Sequence, residues 1–156
     1  MIEIRPLNNH EEALEVCLRA NDYFQLVSGK AVTLANIKKI FTAVPPTKTL
    51  QDKFIFGIYD CGKLVGLMDV IKNYPENATW WLGLFLIAEE SRGKGLGKLA
   101  HQQLIQYSKS EGAKAIQLGV VEKNFKAVPF WKDLGYTTKQ IQITDEQQIK
   151  VMELLI

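Results

Sequence analysis

The stretch with the clearest chemical meaning is Ser91-Arg92-Gly93-Lys94-Gly95-Leu96-Gly97-Lys98, between an apolar run that ends at Ile87 and a long helical pattern. The first turn of a helix leaves backbone N–H groups unpaired and carries partial positive charge. Three alternating glycines remove the side chains that would keep an anion away from those groups, and Arg92, Lys94 and Lys98 add full positive charges. Glycine is not the preferred N-cap residue and three alternating glycines in a first turn cost helix stability, so a plain turn would leave that cost with nothing to offset it. The pattern therefore reads as an anion site, and a pyrophosphate suits it.

Two phosphate motifs can be tested by counting. A Walker A loop fails: its first glycine would fall at Arg92, and Leu99 stands where Ser or Thr is required. A relaxed dinucleotide fingerprint fits, with Gly95, Gly97 and Ala100 at its positions and Glu122 past the next strand. However, a polar loop from Ala88 to Ser91 separates Ile87 from the glycines, and hairpin strands precede them. A nicotinamide-dependent oxidoreductase stays as an alternative.

Other residues are candidates on weaker grounds. Asp69 lies in the apolar run Leu64 to Ile71, where a carboxylate is costly unless it is paired or functional. It is a catalytic group, the partner of a nearby lysine, or an edge-facing residue. Tyr23 and Tyr74 lie in segments expected to border an acceptor site. Tyr23, Phe24, Trp80, Trp81 and Trp131 could line an aromatic slot, but Phe24 and one of the adjacent tryptophans are expected in the core, since strand neighbours face opposite sides. Glu122 reads as a supporting or plain surface charge. His10 and His101 lack ligand-like partners and read as surface residues. Cys17 and Cys61 are far apart with no CxxC, so neither a disulfide framework nor a zinc site is expected, and no metal is called for.

These residues must be positioned by elements that alternate in type. Ile2 to Arg5 reads as a strand. A helix opens at Asn9 and carries Ala13, Leu14, Val16, Cys17 and Leu18; a second runs from Thr33 to Phe41, its apolar residues on one face. Phe54 to Tyr59 and Leu64 to Ile71 form a hairpin around Asp60-Cys61-Gly62-Lys63. Trp80 to Ile87 is apolar on both faces, as a central strand is. A helix to about Glu111 follows the glycines. Ala115 to Val121 is a strand, and Phe125 to Leu134 a helix closed by Gly135. Pro129 is odd inside that pattern and suits a first helical turn, with Asn124 to Val128 a loop. Thr137 to Thr144 and Gln148 to Leu155 make a terminal hairpin. The expected class is α/β (α+β), one domain over residues 1–156: a mixed, largely antiparallel sheet of about seven strands with about four helices.

Composition narrows the class. The chain has 156 residues, 47% hydrophobic and 23% charged, with 19 Lys+Arg against 17 Asp+Glu. That balance is too even for nucleic-acid binding driven by charge or for a polybasic membrane anchor. The start, Met1 to Pro6, alternates apolar and charged residues, and a cytoplasmic location is expected.

With these residues in place, the chain resembles the GNAT superfamily of acyl-CoA-dependent N-acetyltransferases. Arg92-Gly93-Lys94-Gly95-Leu96-Gly97 fits its [RQ]-x-x-G-x-[GA] signature, and Asn124-Phe125-Lys126-Ala127, Trp131 and Gly135-Tyr136 fit a second motif. The resemblance implies acetyl-CoA as acyl donor and a primary amine of a small molecule or peptide as acceptor, with direct attack on the thioester. Phe85, Leu86 and Ile87 would pair with the pantetheine arm, and Arg92, Gly93, Lys94, Gly95, Leu96, Gly97 and Lys98 would hold the pyrophosphate. Asn124 and Trp131 would flank the cofactor, and a homodimer is compatible. Two positions depart from the pattern. Trp81 stands six residues before Ile87, where the family often has a carboxylate base, and Trp131 replaces the usual tyrosine acid. Base and acid are thus unassigned, with Asp69, Tyr23 and Tyr74 as candidates. Loss of catalysis, leaving an acyl-CoA-binding module, is the other alternative.

Overall fold

A computed structural model describes all residues from Met1 to Ile156. Its elements are β1 (Ile2–Pro6), α1 (His10–Leu18), α2 (Asn21–Ser28), α3 (Leu34–Thr42), β2 (Lys53–Asp60), β3 (Lys63–Ile71), β4 (Thr79–Ile87), α4 (Leu96–Ser110), β5 (Ala115–Val121), α5 (Val128–Asp133), β6 (Thr137–Ile143) and β7 (Gln148–Leu155). The strands form one sheet in the order β1-β2-β3-β4-β5-β7-β6. The β4–β5 pair is parallel and every other pair antiparallel. No helix is long and apolar enough to cross a membrane.

Helices cover both faces of the sheet. On one face, Met68, Trp80, Leu82 and Ile116 pack with Ala100 and Leu104 of α4. On the other, Leu67 and Leu86 pack with Ala13, Val16 and Cys17 of α1 and with Ile37 of α3. Neighbours such as Leu67 and Met68 go to opposite cores, as the two-residue period of a strand demands.

The expected order of elements holds, with three differences. An additional helix, α2, lies between α1 and α3; it buries no residue completely and lacks a side-chain cap, so its sequence signal is weak. The helix expected from Phe125 is split. A 3-10 segment, Glu122–Ala127, is kinked at Asn124, and α5 starts at Val128 with Pro129 in its first turn. There are therefore five α-helices. The third difference is His101, which is 1% exposed and not on the surface.

Two irregularities of β4 shape the site. Asp69 pairs with Leu84 and Val70 with Leu82, which leaves Gly83 as an extra residue, a β-bulge. The bulge resets the alternation, so Leu84 packs in the second core and Phe85 in the first, although Leu82 also belongs to the first. In addition, pairing with β5 runs from Thr79–Ala115 to Leu82–Leu118 and stops there. Beyond this point the two parallel strands separate.

Candidate active site

The separation of β4 from β5 opens a cleft of about 400 Å³, floored by Gly83, Phe85, Gly119 and Val120 and walled by Trp131. A second cavity, of about 540 Å³, continues it along Phe85–Ile87 to the glycine loop. Tyr23, Phe85, Arg92, Asn124 and Phe130 line both, so the two are one channel. The residues predicted for the cofactor converge on it, apart from the Lys94 side chain, which is exposed beside the loop.

At the loop end, Gly93 (φ +78°) and Gly95 (φ +77°) adopt left-handed conformations, and α4 begins at Leu96. None of the backbone N–H groups from Gly93 to Lys98 donates to an acceptor within the chain; the first to do so is that of Leu99, to Gly95 O at 3.2 Å. A continuous row of free donors at the positive end of a 15-residue helix is a seat for an anion. The Arg92 side chain is committed elsewhere. Its Nε donates to Ile87 O at 2.9 Å, and its Nη1 and Nη2 donate to Asp22 at 2.6 and 3.0 Å. This fork ties α2 to the loop and lays Tyr23 along the channel; burial raises the pKa of the Tyr23 phenol.

Trp131 is 7% exposed and packs edge-on against Phe85, Phe130 and Tyr136, with ring centres 5.5, 4.9 and 5.3 Å away. Behind it, His101 Nε2 lies 2.7 Å from Tyr136 Oη.

A third cavity, of about 400 Å³, shares Gly83 of the bulge with the cleft. Asp69, Tyr74, Trp81, Gln117 and Gln140 are among its walls. Lys53, which the sequence does not single out, is there too. Its side chain is 3% exposed, and the ammonium donates to Asp69 Oδ2 at 3.0 Å and to Ala43 O at 2.7 Å. Burial raises the pKa of the Asp69 carboxyl and Lys53 opposes that rise. Thus Asp69 and Tyr74 share one pocket, Tyr23 lies in the cofactor-side channel, and Trp81 faces the pocket while Trp80 is core. Phe24 packs against the second core, as expected. Glu122 is exposed and borders a separate groove.

Residues 32–136 match the Acetyltransferase (GNAT) family. The chain belongs to that family. An uncharacterized N-acetyltransferase, YobR, of Bacillus subtilis is 30% identical over 119 residues, 75% of this chain and 44% of that protein. The chain thus spans less than half the length of that relative. A spermine/spermidine N(1)-acetyltransferase of the same organism is 32% identical over 104 residues, 63% of this chain and 68% of that protein. An acetyltransferase from Thermus thermophilus has the same fold, with a TM-score of 0.81 at 20% identity over 100% of this chain and 97% of that one. Spermidine N-acetyltransferase from Vibrio cholerae, solved with CoA and spermine, has a TM-score of 0.75 at 19% identity, covering 99% and 95%. Family membership removes the nicotinamide alternative. A dinucleotide site also needs neighbouring parallel strands on both sides of a crevice, and this sheet has one parallel pair.

Proposed function

We propose that this chain transfers an acetyl group from acetyl-CoA to the primary amine of a small molecule. The observation that carries the reading is the channel between the separated halves of β4 and β5, which runs to the free N–H groups of Gly93–Lys98. The β5-side edge of β4 past Leu82 lacks a partner strand and is open to pair with an extended pantetheine arm near Phe85, Leu86 and Ile87. The loop donors, with Lys94 and Lys98 beside them, suit a pyrophosphate. Asn124 and Trp131 flank the path between, Trp131 as a wall that keeps water from the thioester.

The acceptor enters from the Asp69 pocket and meets the acyl group at Gly83. Direct attack then needs the amine and the carbonyl carbon in contact, and Gly83 of the bulge is the residue that lines both cavities. The names of the relatives, spermine and spermidine acetyltransferases, support a small-molecule amine as acceptor. Gln140, Gln142 and Val151 of this pocket lie on β6 and β7, outside the residues that match the family.

The test is a panel of primary amines with acetyl-CoA, following thiol release and the N-acetyl product together. Transfer to at least one amine is expected, and CoA is expected to raise the melting temperature where NAD does not. Stabilisation by NAD without any by CoA would overturn the reading.

A further inference from the structure

Asp69 is placed as no packing residue would be. It sits on β3 opposite Leu84, beside the bulge residue Gly83, which lines both this pocket and the acyl channel. Lys53 lies on the same face of the sheet, diagonally across from it: Ile55 is opposite Asp69, and Lys53 is two residues further along β2. The Lys53 ammonium donates to Oδ2 at 3.0 Å and lies 2.9 Å from Oδ1, which is buried. The ion pair faces both carboxylate oxygens, and the Asp69 side chain, 16% exposed, carries the one carboxylate among the walls of the pocket. The other titratable groups of the pocket are Lys53 on β2 and Tyr74 in the loop between β3 and β4. The β4, β5, β6 and β7 strands contribute Trp81, Gly83, Gln117, Gln140, Gln142 and Val151, none of which can take a proton. The position on β4 where a carboxylate could have stood is occupied by Trp81, which faces this same pocket.

Building on the acetyl-transfer reading, we propose that the Asp69 pocket binds the acceptor as a primary ammonium and that the Asp69 carboxylate takes its proton. Lys53 is the positioning residue: its ammonium pairs with both carboxylate oxygens and opposes the protonation that burial favours. The ammonium gives one proton to the Asp69 carboxylate and becomes a neutral amine. Its lone pair forms the new N–C bond as the C–S bond breaks. The second proton lost by the nitrogen ends on the departing thiolate, and Asp69 returns its own to solvent. Trp81 and Tyr74, with ring centres 6.1 Å apart, offer aromatic faces to the ammonium on its way in.

The experiment is the pH profile of kcat/KM for wild type and Asp69→Asn, with a series of amines of different basicity. Asparagine keeps an acceptor for Lys53 but cannot take a proton. At pH 7.5 the variant should lose about 10²- to 10⁴-fold, the usual size of a general-base contribution. Its deficit should shrink about tenfold per pH unit as free amine replaces ammonium in solution, because the missing step is then already done. In the wild type the acid limb should stay in one place across the series, since it belongs to the enzyme. A limb that moves one-for-one with amine basicity, or a variant deficit that is constant with pH, overturns the proposal. Should the buried Lys53 charge prevent folding of the single variant, Lys53→Met/Asp69→Asn removes both charges together, and the same profile is required of it. Wild type that acetylates no amine sinks the acetyl-transfer reading and this one together. Wild type that acetylates while Asp69→Asn matches it at every pH sinks only the role of Asp69.

Discussion

The Arg92 guanidinium grips the Asp22 carboxylate with both terminal nitrogens, Nη1 at 2.6 Å from Oδ2 and Nη2 at 3.0 Å from Oδ1. The fork joins residues 70 positions apart and, through Nε on Ile87 O, fastens three pieces of the channel: the end of β4, the loop before α4, and the first turn of α2. Hydrogen bonds from Arg92 hold the Asp22 carboxyl below the usual carboxylate range, so the pair is intact at neutral pH.

Both side chains are partly exposed, 37% and 50%, and an ion pair in such a place contributes about 0–1 kcal/mol. Asp22→Asn should therefore barely move the melting temperature. It should weaken CoA binding by about tenfold, corresponding to about 1.4 kcal/mol, because α2 loses its tie and Tyr23 its place along the channel. Calorimetric titration with CoA beside a thermal melt separates the two effects. Equal affinities for variant and wild type would reduce the fork to surface decoration.

The glycine loop offers a second separation of stability from binding. Gly95 has φ +77°, and any side chain there costs about 1–2 kcal/mol of backbone strain before a ligand is considered. Replacement of Gly95 thus confounds fold with function. Gly97 has no such strain. A Cβ on it would meet the Phe130 ring at 3.4 Å and the Phe85 ring at 3.5 Å, ordinary contact, while standing among the free N–H groups. Gly97→Ala should stabilise the free protein by up to about 1 kcal/mol through helix propensity and raise the Kd for CoA. Melts and titration should move in opposite directions. Tighter CoA binding in this variant would show that the phosphates sit elsewhere.

How much of this is legible in the sequence depends on how far apart the deciding residues lie. Ala115–Val121 can be bounded from its apolar run, and the glycine loop from spacing alone, because both signals are local. The cost of Asp69 in an apolar strand is legible too. Its partner is not: Lys53 becomes its neighbour only through the register of β2 on β3. Arg92 reads as an anion ligand for the same reason, since nothing near it in sequence announces Asp22. His101 departs from its expected place on the surface although the signal is present. It shares the buried stripe of α4 with Leu96, Ala100, Leu104 and Ser108, and that periodicity outweighs its polarity. The bulge at Gly83 carries no local signal that separates it from a plain strand glycine.

His101 also gives the protein a predictable acid limit. Its Nε2 is 2.7 Å from Tyr136 Oη, and Trp131 closes over the pair, with ring centres 6.0 Å from His101 and 5.3 Å from Tyr136. Burial pushes the His101 imidazole down to about 4 from an ordinary 6.5. The unfolded chain therefore takes up this proton before the folded one does. The stability tied to neutral His101 is complete above about pH 6.5 and is lost as pH falls toward 4. At pH 5.5 the loss is about 1–2 kcal/mol, a fall of several degrees in melting temperature for a chain of this size. His101→Gln keeps a polar partner for Tyr136 and removes the titration. Its melting temperature should start lower at pH 7.5 and fall less between pH 7.5 and 5.5 than that of wild type. The carboxylates elsewhere are common to both proteins and cancel in the comparison. Parallel curves for the two would mean that His101 takes its proton without unfolding anything, and that the wall behind Trp131 is open to water.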